Sequence, residues 1–130
     1  MKIRSILLGL TEAQIELGVS TVVDSVFMNM DRNHARAIAQ EHGARFRPIY
    51  VFVSDEAVWK ERVNTRYREM KKVNVATWEQ IEHQRGHFRP WEPQTALFVD
   101  MLEPLEQNYP DVLRFVTDED VNLRPLGEAA

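Results

Sequence analysis

The chain has 130 residues, enough for one domain around one hydrophobic core. Hydrophobic residues make up 44% and charged residues 28%, so disorder over most of the length is excluded. The formal net charge of -4 gives no electrostatic footprint for nucleic acid, and the absence of cysteine excludes disulfides, thiolate metal sites and a cysteine nucleophile.

No apolar run approaches the roughly 20 residues that span a bilayer. The N-terminal run Ile3 to Leu10 resembles a signal peptide only superficially, because Thr11-Glu12 interrupts it and no small-residue cleavage site follows. It reads as a helix, and the chain as cytoplasmic. Ile3, Ile6, Leu7, Leu10, Gln14, Ile15 and Leu17 recur at helical spacing, with Gly18 in place to close the helix. Val19 to Val26 is β-branched and apolar without alternation, which predicts a strand buried on both faces of a parallel sheet.

A second helix is predicted from Asp31 to His42, capped by Asp31 or Asn29 and closed by Gly43. Pro48 to Val53 is another apolar strand. Ser54 or Asp55 caps a helix that runs from Glu56 to about Met70. Lys71 to Val75 reads as a break, and Thr77 caps a further helix starting at Trp78. The Arg85 to Pro93 stretch is irregular, because a glycine and two prolines interrupt it. Ala96 to Val99 is a short strand, Pro104 opens a helix or turn, and Asp111 to Phe115 forms a last helical turn. Residues 117–130 read as a flexible tail. Helix and strand alternate as in an α/β layer fold, but the order starts on a helix. The first strand of the sheet is therefore expected to be missing.

Asp24 sits at the end of the first predicted strand, where α/β proteins bind ligands. It serves a metal ion or a proton there, or it merely caps the following loop. Arg62 and Arg66 lie one helical turn apart, and so do Arg32 and Arg36. Each pair either brackets an anion or forms a solvated face; Glu61 and Glu69 stand ready to neutralise the first. Arg85 and Arg89 flank the proline-interrupted loop with His87 and Trp91, as a lid or a hydrophobic latch. Trp59 and Trp78 read as packing residues at helix starts. His83 and His87 are four apart with Glu79 one turn earlier, but Gly86 interrupts the helix and no zincin pattern is present. No nucleophile elbow surrounds Ser20, Ser25 or Ser54. None of the five glycines is followed by lysine, so G-x-x-x-x-G-K-[ST] does not occur.

In order and spacing, the segments Gly18 to Phe27, Arg36 to Ala44, Glu61 to Arg66, Phe88 to Trp91 and Leu97 to Asp100 resemble the small P-loop kinases. That group includes zeta toxins, chloramphenicol phosphotransferase and gluconate-kinase-like proteins. The resemblance implies a partial three-layer P-loop NTPase fold over residues 1–116, with the first strand and the P-loop absent. It implies an ATP-dependent phosphotransferase with Mg²⁺ as its cofactor ion and a small-molecule acceptor, and with no nucleic-acid or membrane partner. Asp24 would be the catalytic acid or the Mg²⁺ ligand, and Arg62 and Arg66 would neutralise the transferring phosphate. Arg32, Arg36, Arg85 and Arg89 would lie on the acceptor side. The family's P-loop precedes the region matched here, so Met1 would fall inside the helix before Asp24, as in a truncated or wrongly started form with impaired ATP binding. Two alternatives stand beside this reading: a non-catalytic phosphate- or nucleotide-binding module, and an interaction module whose uncovered sheet edge makes homo-oligomers.

Overall fold

The β-branched runs and amphipathic stretches settle into five helices and two strands in the computed structural model, which describes residues 3–70 and 75–124. The elements are α1 (Ile3–Glu16), α2 (Asn29–Glu41), β1 (Ile49–Phe52), α3 (Glu56–Glu69), α4 (Trp78–Arg85), β2 (Leu97–Asp100) and α5 (Leu105–Thr117). They form two compact units, divided after Phe46. The fold is mixed α/β with a parallel sheet, as in part of a P-loop NTPase-type fold. The predicted break at Lys71 to Val75 lies outside the described residues as far as Asn74.

In the first unit α1 and α2 pack against each other, and Leu8, Ile38 and Ala39 form their buried contact. Gly18 ends α1 with φ +77, a conformation that costs a side-chain-bearing residue strain. This turn lets Gly18 N–H donate to the Ile15 carbonyl at 2.9 Å and Val19 N–H to the Gln14 carbonyl at 3.0 Å. α2 starts two residues earlier than its sequence predicts. Met28 holds the cap position, and Asp31 acts from inside the first turn, its Oδ2 accepting from Met28 N–H at 3.1 Å.

Val19–Val26 does not form the predicted strand. Its β-branched residues favour extended backbone, but a strand also needs a hydrogen-bonded neighbour, and propensity cannot supply one. The only ladder among the described residues joins β1 and β2, and no residue of 19–26 enters it. Val22 is accordingly 96% exposed.

The second unit is organised by that ladder. Ile49 pairs with Leu97, Tyr50 with Phe98, Val51 with Val99 and Phe52 with Asp100. Leu97 N–H to the Pro48 carbonyl (3.0 Å) and Met101 N–H to the Phe52 carbonyl (2.7 Å) extend it at both ends. Alternation puts Tyr50, Phe52 and Phe98 on one face, where their rings meet at 5.2–6.0 Å with Phe88 beside Tyr50 at 6.1 Å. Val99 faces the other way and is buried. The crossover carries α3, capped by Asp55 accepting from Val58 N–H, and α4, closed by a reciprocal Thr77–Gln80 capping box. Trp59 and Trp78 meet edge to face at 5.0 Å and join these two helices.

α5 packs on β2 and buries Phe115. It replaces the separate turns predicted around Pro104 and Asp111 with one helix that runs through Pro110. Proline removes one backbone hydrogen bond there, yet the apolar spacing of Leu105, Tyr109, Val112, Phe115 and Val116 favours a continuous helix. Its C-terminal carbonyls are served by one side chain: Arg47 Nε donates to the Phe115 carbonyl at 3.1 Å, and Nη2 to those of Asp118 and Glu119 at 3.1 and 3.4 Å. Residues 118–124 follow as coil, and Arg124 N–H donates to the Gln94 carbonyl at 2.7 Å. Arg47→Ala should lower the unfolding free energy by about 1–2 kcal/mol, chiefly because the carbonyl of buried Phe115 loses its donor. Urea titration followed by far-UV circular dichroism measures the loss, and Arg47→Lys should recover less than half of it.

Candidate functional site

In parallel α/β sheets, ligands bind beyond the carboxyl ends of the strands, where the backbone leaves the sheet and helices begin. Here β1 runs out through Val53 into Ser54 and the Asp55 cap of α3, while β2 ends on Asp100. Asp100 organises this edge. Its Oδ1 accepts from Ser54 N–H at 3.1 Å and from Leu102 N–H at 3.0 Å, so one carboxylate ties together the two loops that follow the strands. Hydrogen bonding to Ser54, then to Leu102, holds its carboxyl below the usual carboxylate range, with the Arg62 guanidinium adding a smaller pull.

Arg62 on α3 reaches the same edge, where its Nη1 donates to the Met101 carbonyl at 2.6 Å. Arg66 lies one turn further along α3, so the two share a face. Its side chain is exposed and makes no hydrogen bond or ion pair among the described residues. Neither Glu61 nor Glu69 pairs with either arginine, so the solvated salt-bridged face open to the sequence does not form.

The other predicted residues fall into different environments. Arg85 is committed: its Nη1 contacts Glu56 Oε1 at 2.8 Å, and its guanidinium lies 5.1 Å from the Trp59 ring and 6.0 Å from that of Trp78. Arg89 is exposed in the coil after α4. In the first unit, Asp24 is an exposed coil residue that makes no hydrogen bond or ion pair among the described residues. Arg32 is only 4% exposed, and its Nε donates to the Phe27 carbonyl at 2.9 Å, pinning the coil that follows Asp24 onto α2. Arg36 Nη2 donates to Asn33 Oδ1 at 3.0 Å, while its Nε is buried without a partner.

With the strand-end carboxylate, the arginine-bearing α3 and the parallel pair in view, the family can be stated. The AAA domain family (AAA_33) matches residues 2–91, more than half of the chain. The chain belongs to the AAA domain family. This is a P-loop NTPase-type, kinase-like family of nucleotide-binding domains. No curated protein and no solved structure matches the chain.

Sequence reasoning placed Arg62 and Arg66, inside the matched region, on one helix face, as observed, and overlooked Asp100, which lies beyond that region. The signal for Asp100 was the one used at Asp24: an acid closing an apolar run, here Leu97-Phe98-Val99. A shallow groove along α4, lined by Val75, Ala76, Glu79, Gln80, His83 and Gln84, contains none of the predicted residues.

Because the Asp100 carboxyl is depressed in the folded chain, its ionised form stabilises the fold. That contribution is complete above the ordinary carboxylate range and is lost as pH falls through the folded value. Asp100→Asn should therefore be less stable than the parent at about pH 7, and the two should converge as pH falls through the lowered carboxyl range. Thermal unfolding across that range measures the convergence.

Proposed function

We propose that this chain is the acceptor and lid portion of an ATP-dependent phosphotransferase, a small-molecule kinase of the P-loop type. The observation that carries the proposal is the α3 face. The Arg66 side chain is exposed without a partner among the described residues, one turn from an Arg62 that is already oriented at the carboxyl end of the sheet. Two guanidiniums held on one face repel each other, and a polyphosphate between them removes that cost and supplies bidentate acceptors.

In the reaction, an acceptor hydroxyl oxygen bonds to the γ-phosphorus of ATP. The bond from that phosphorus to the β–γ bridging oxygen breaks, and ADP leaves. In the first unit, taken by itself, Asp24 is the candidate for taking a hydroxyl proton or holding Mg²⁺, since its carboxylate is exposed and makes no hydrogen bond or ion pair among the described residues. Mg²⁺ supplies charge neutralisation for the phosphates when bound. Arg62 and Arg66 stabilise charge on the transferring group. Arg32 holds the coil after Asp24 in place, and Arg36, with an unmatched Nε, faces the anionic portion of an acceptor. Arg89 contributes from the coil after α4. Arg85 acts at one remove, by fixing α4 against the start of α3.

Phosphoryl transfer depends on positioning and charge neutralisation, and the backbone cradle that supplies both in P-loop enzymes is not encoded in these 130 residues. That favours a second reading, in which residues 1–130 bind phosphate or nucleotide through the same arginines without turnover. Calorimetric titration with Mg-ATP separates the two. Residues 1–130 should bind weakly, and the chain joined to a glycine-rich G-x-x-x-x-G-K-[ST] segment should bind at least about 10-fold more tightly and turn over. Arg66→Ala should cost about 10-fold in affinity, as expected for one charge-assisted contact, whereas Arg85→Ala should cost less than about 2-fold. Tight binding by the joined chain without turnover would leave the binding-module reading. Absence of binding in both would overturn the two readings together.

A further inference from the structure

The first unit carries a group of chemically able side chains that the nucleotide reading does not use. α1 and α2 end side by side with their acids unrelieved: neither helix has a basic residue in its last turn. The negative end of a helix dipole disfavours a carboxylate, so Glu12 and Glu16 on α1 and Glu41 at the end of α2 stand in an adverse field. His42, the C-terminal cap residue of α2, sits among them. Its Nε2 is 3.1 Å from Glu12 Oε2 and 3.8 Å from Glu16 Oε1. Glu41 makes no hydrogen bond or ion pair among the described residues, yet its carboxylate lies within 4.8 Å of the other donor atoms.

We propose that Glu12, Glu41 and His42 form a binding site for a divalent transition-metal ion of the zinc class. One imidazole nitrogen and two carboxylate oxygens converge from two packed helices, within 4.8 Å of one another. Donors bound at about 2.1 Å to a tetrahedral ion are about 3.4 Å apart, so His42 and Glu12 already stand close to ligand spacing. Glu41 closes the remaining distance by side-chain rotation, since its side chain is exposed and makes no hydrogen bond or ion pair among the described residues. Three protein ligands leave a fourth position for water or for Glu16. The imidazole selects against Mg²⁺ and Ca²⁺, which prefer all-oxygen shells. A bound dication also relieves the repulsion between acids at the two helix ends, so the metal should fasten α1 to α2. This site is independent of the nucleotide reading.

The test is titration of the untagged 130-residue chain with Zn²⁺, by calorimetry and by thermal unfolding, with Mg²⁺ as the comparison ion. The expected result is saturable one-to-one binding and a rise in the unfolding temperature with Zn²⁺ but not with Mg²⁺. Glu41→Gln is the decisive variant. It keeps the His42–Glu12 contact and adds no apolar surface, and it should weaken Zn²⁺ binding at least about 10-fold while metal-free stability stays the same or rises, because a charge leaves the adverse helix-end field. His42→Gln should lose the effect altogether. His83→Gln removes the exposed imidazole whose ring lies 5.3 Å from that of His87, and it should leave the binding unchanged. Absence of saturable Zn²⁺ binding, or binding that Glu41→Gln leaves intact, would reduce the cluster to an ion pair and overturn the proposal.

Discussion

Four residues of parallel pairing, Ile49–Phe52 against Leu97–Asp100, organise the second unit. A two-stranded sheet is marginal by itself, so this one depends on what its ends and faces recruit. At the carboxyl end, Asp100 receives amides from both following loops, and Arg62 reaches across to the Met101 carbonyl. On one face the rings of Tyr50, Phe52, Phe88 and Phe98 cluster, and α5 packs against β2. Shifting the register by one residue would turn Val99 out of the core and carry Asp100 away from Ser54. The helix bearing Arg62 and Arg66 owes its position to that register, because α3 begins four residues after β1 ends.

The same structure sorts the arginines by what already satisfies them. Arg47 serves three carbonyls at and just beyond the C-terminal end of α5, Arg32 holds the Phe27 carbonyl, and Arg85 is shared between Glu56 and two indole rings. Such side chains contribute through packing and hydrogen bonding, and a ligand would have to displace their partners. Arg66 differs, since its guanidinium is exposed without a partner among the described residues. Spacing along a helix gives Arg62 and Arg66 a common face. Only the three-dimensional arrangement separates the cation that is occupied from the one that is available.

Much of this was legible in the residues. Asp55 and Thr77 read as helix caps because short polar side chains mimic the missing helical acceptors, and both act so here. The two apolar runs in the second unit read as strands and pair in parallel. Val19–Val26 was misread for a physical reason: β-branching describes what the backbone favours, whereas a strand is a property of two segments. The α5 helix was hidden by Pro110, whose local cost is outweighed by apolar spacing that extends on either side of it. Asp100 was overlooked because its importance lies in hydrogen bonds from Ser54, 46 positions away in the chain, as well as from nearby Leu102. Of the candidate site, the residue types and their helical faces were readable. Which of them are occupied was not, because Glu56, Phe27 and the indole rings that hold them are neighbours in space.

On the proposed polyphosphate-accepting face of α3, Arg66 is the available cation and Arg85 is not. An ¹⁵N-edited NMR spectrum of the arginine Nε–H groups during titration with inorganic triphosphate tests this directly. The Arg66 and Arg62 signals should move together and saturate while the Arg85 signal stays in place. Equal movement of all arginine signals, or no saturable movement at Arg66, would contradict it.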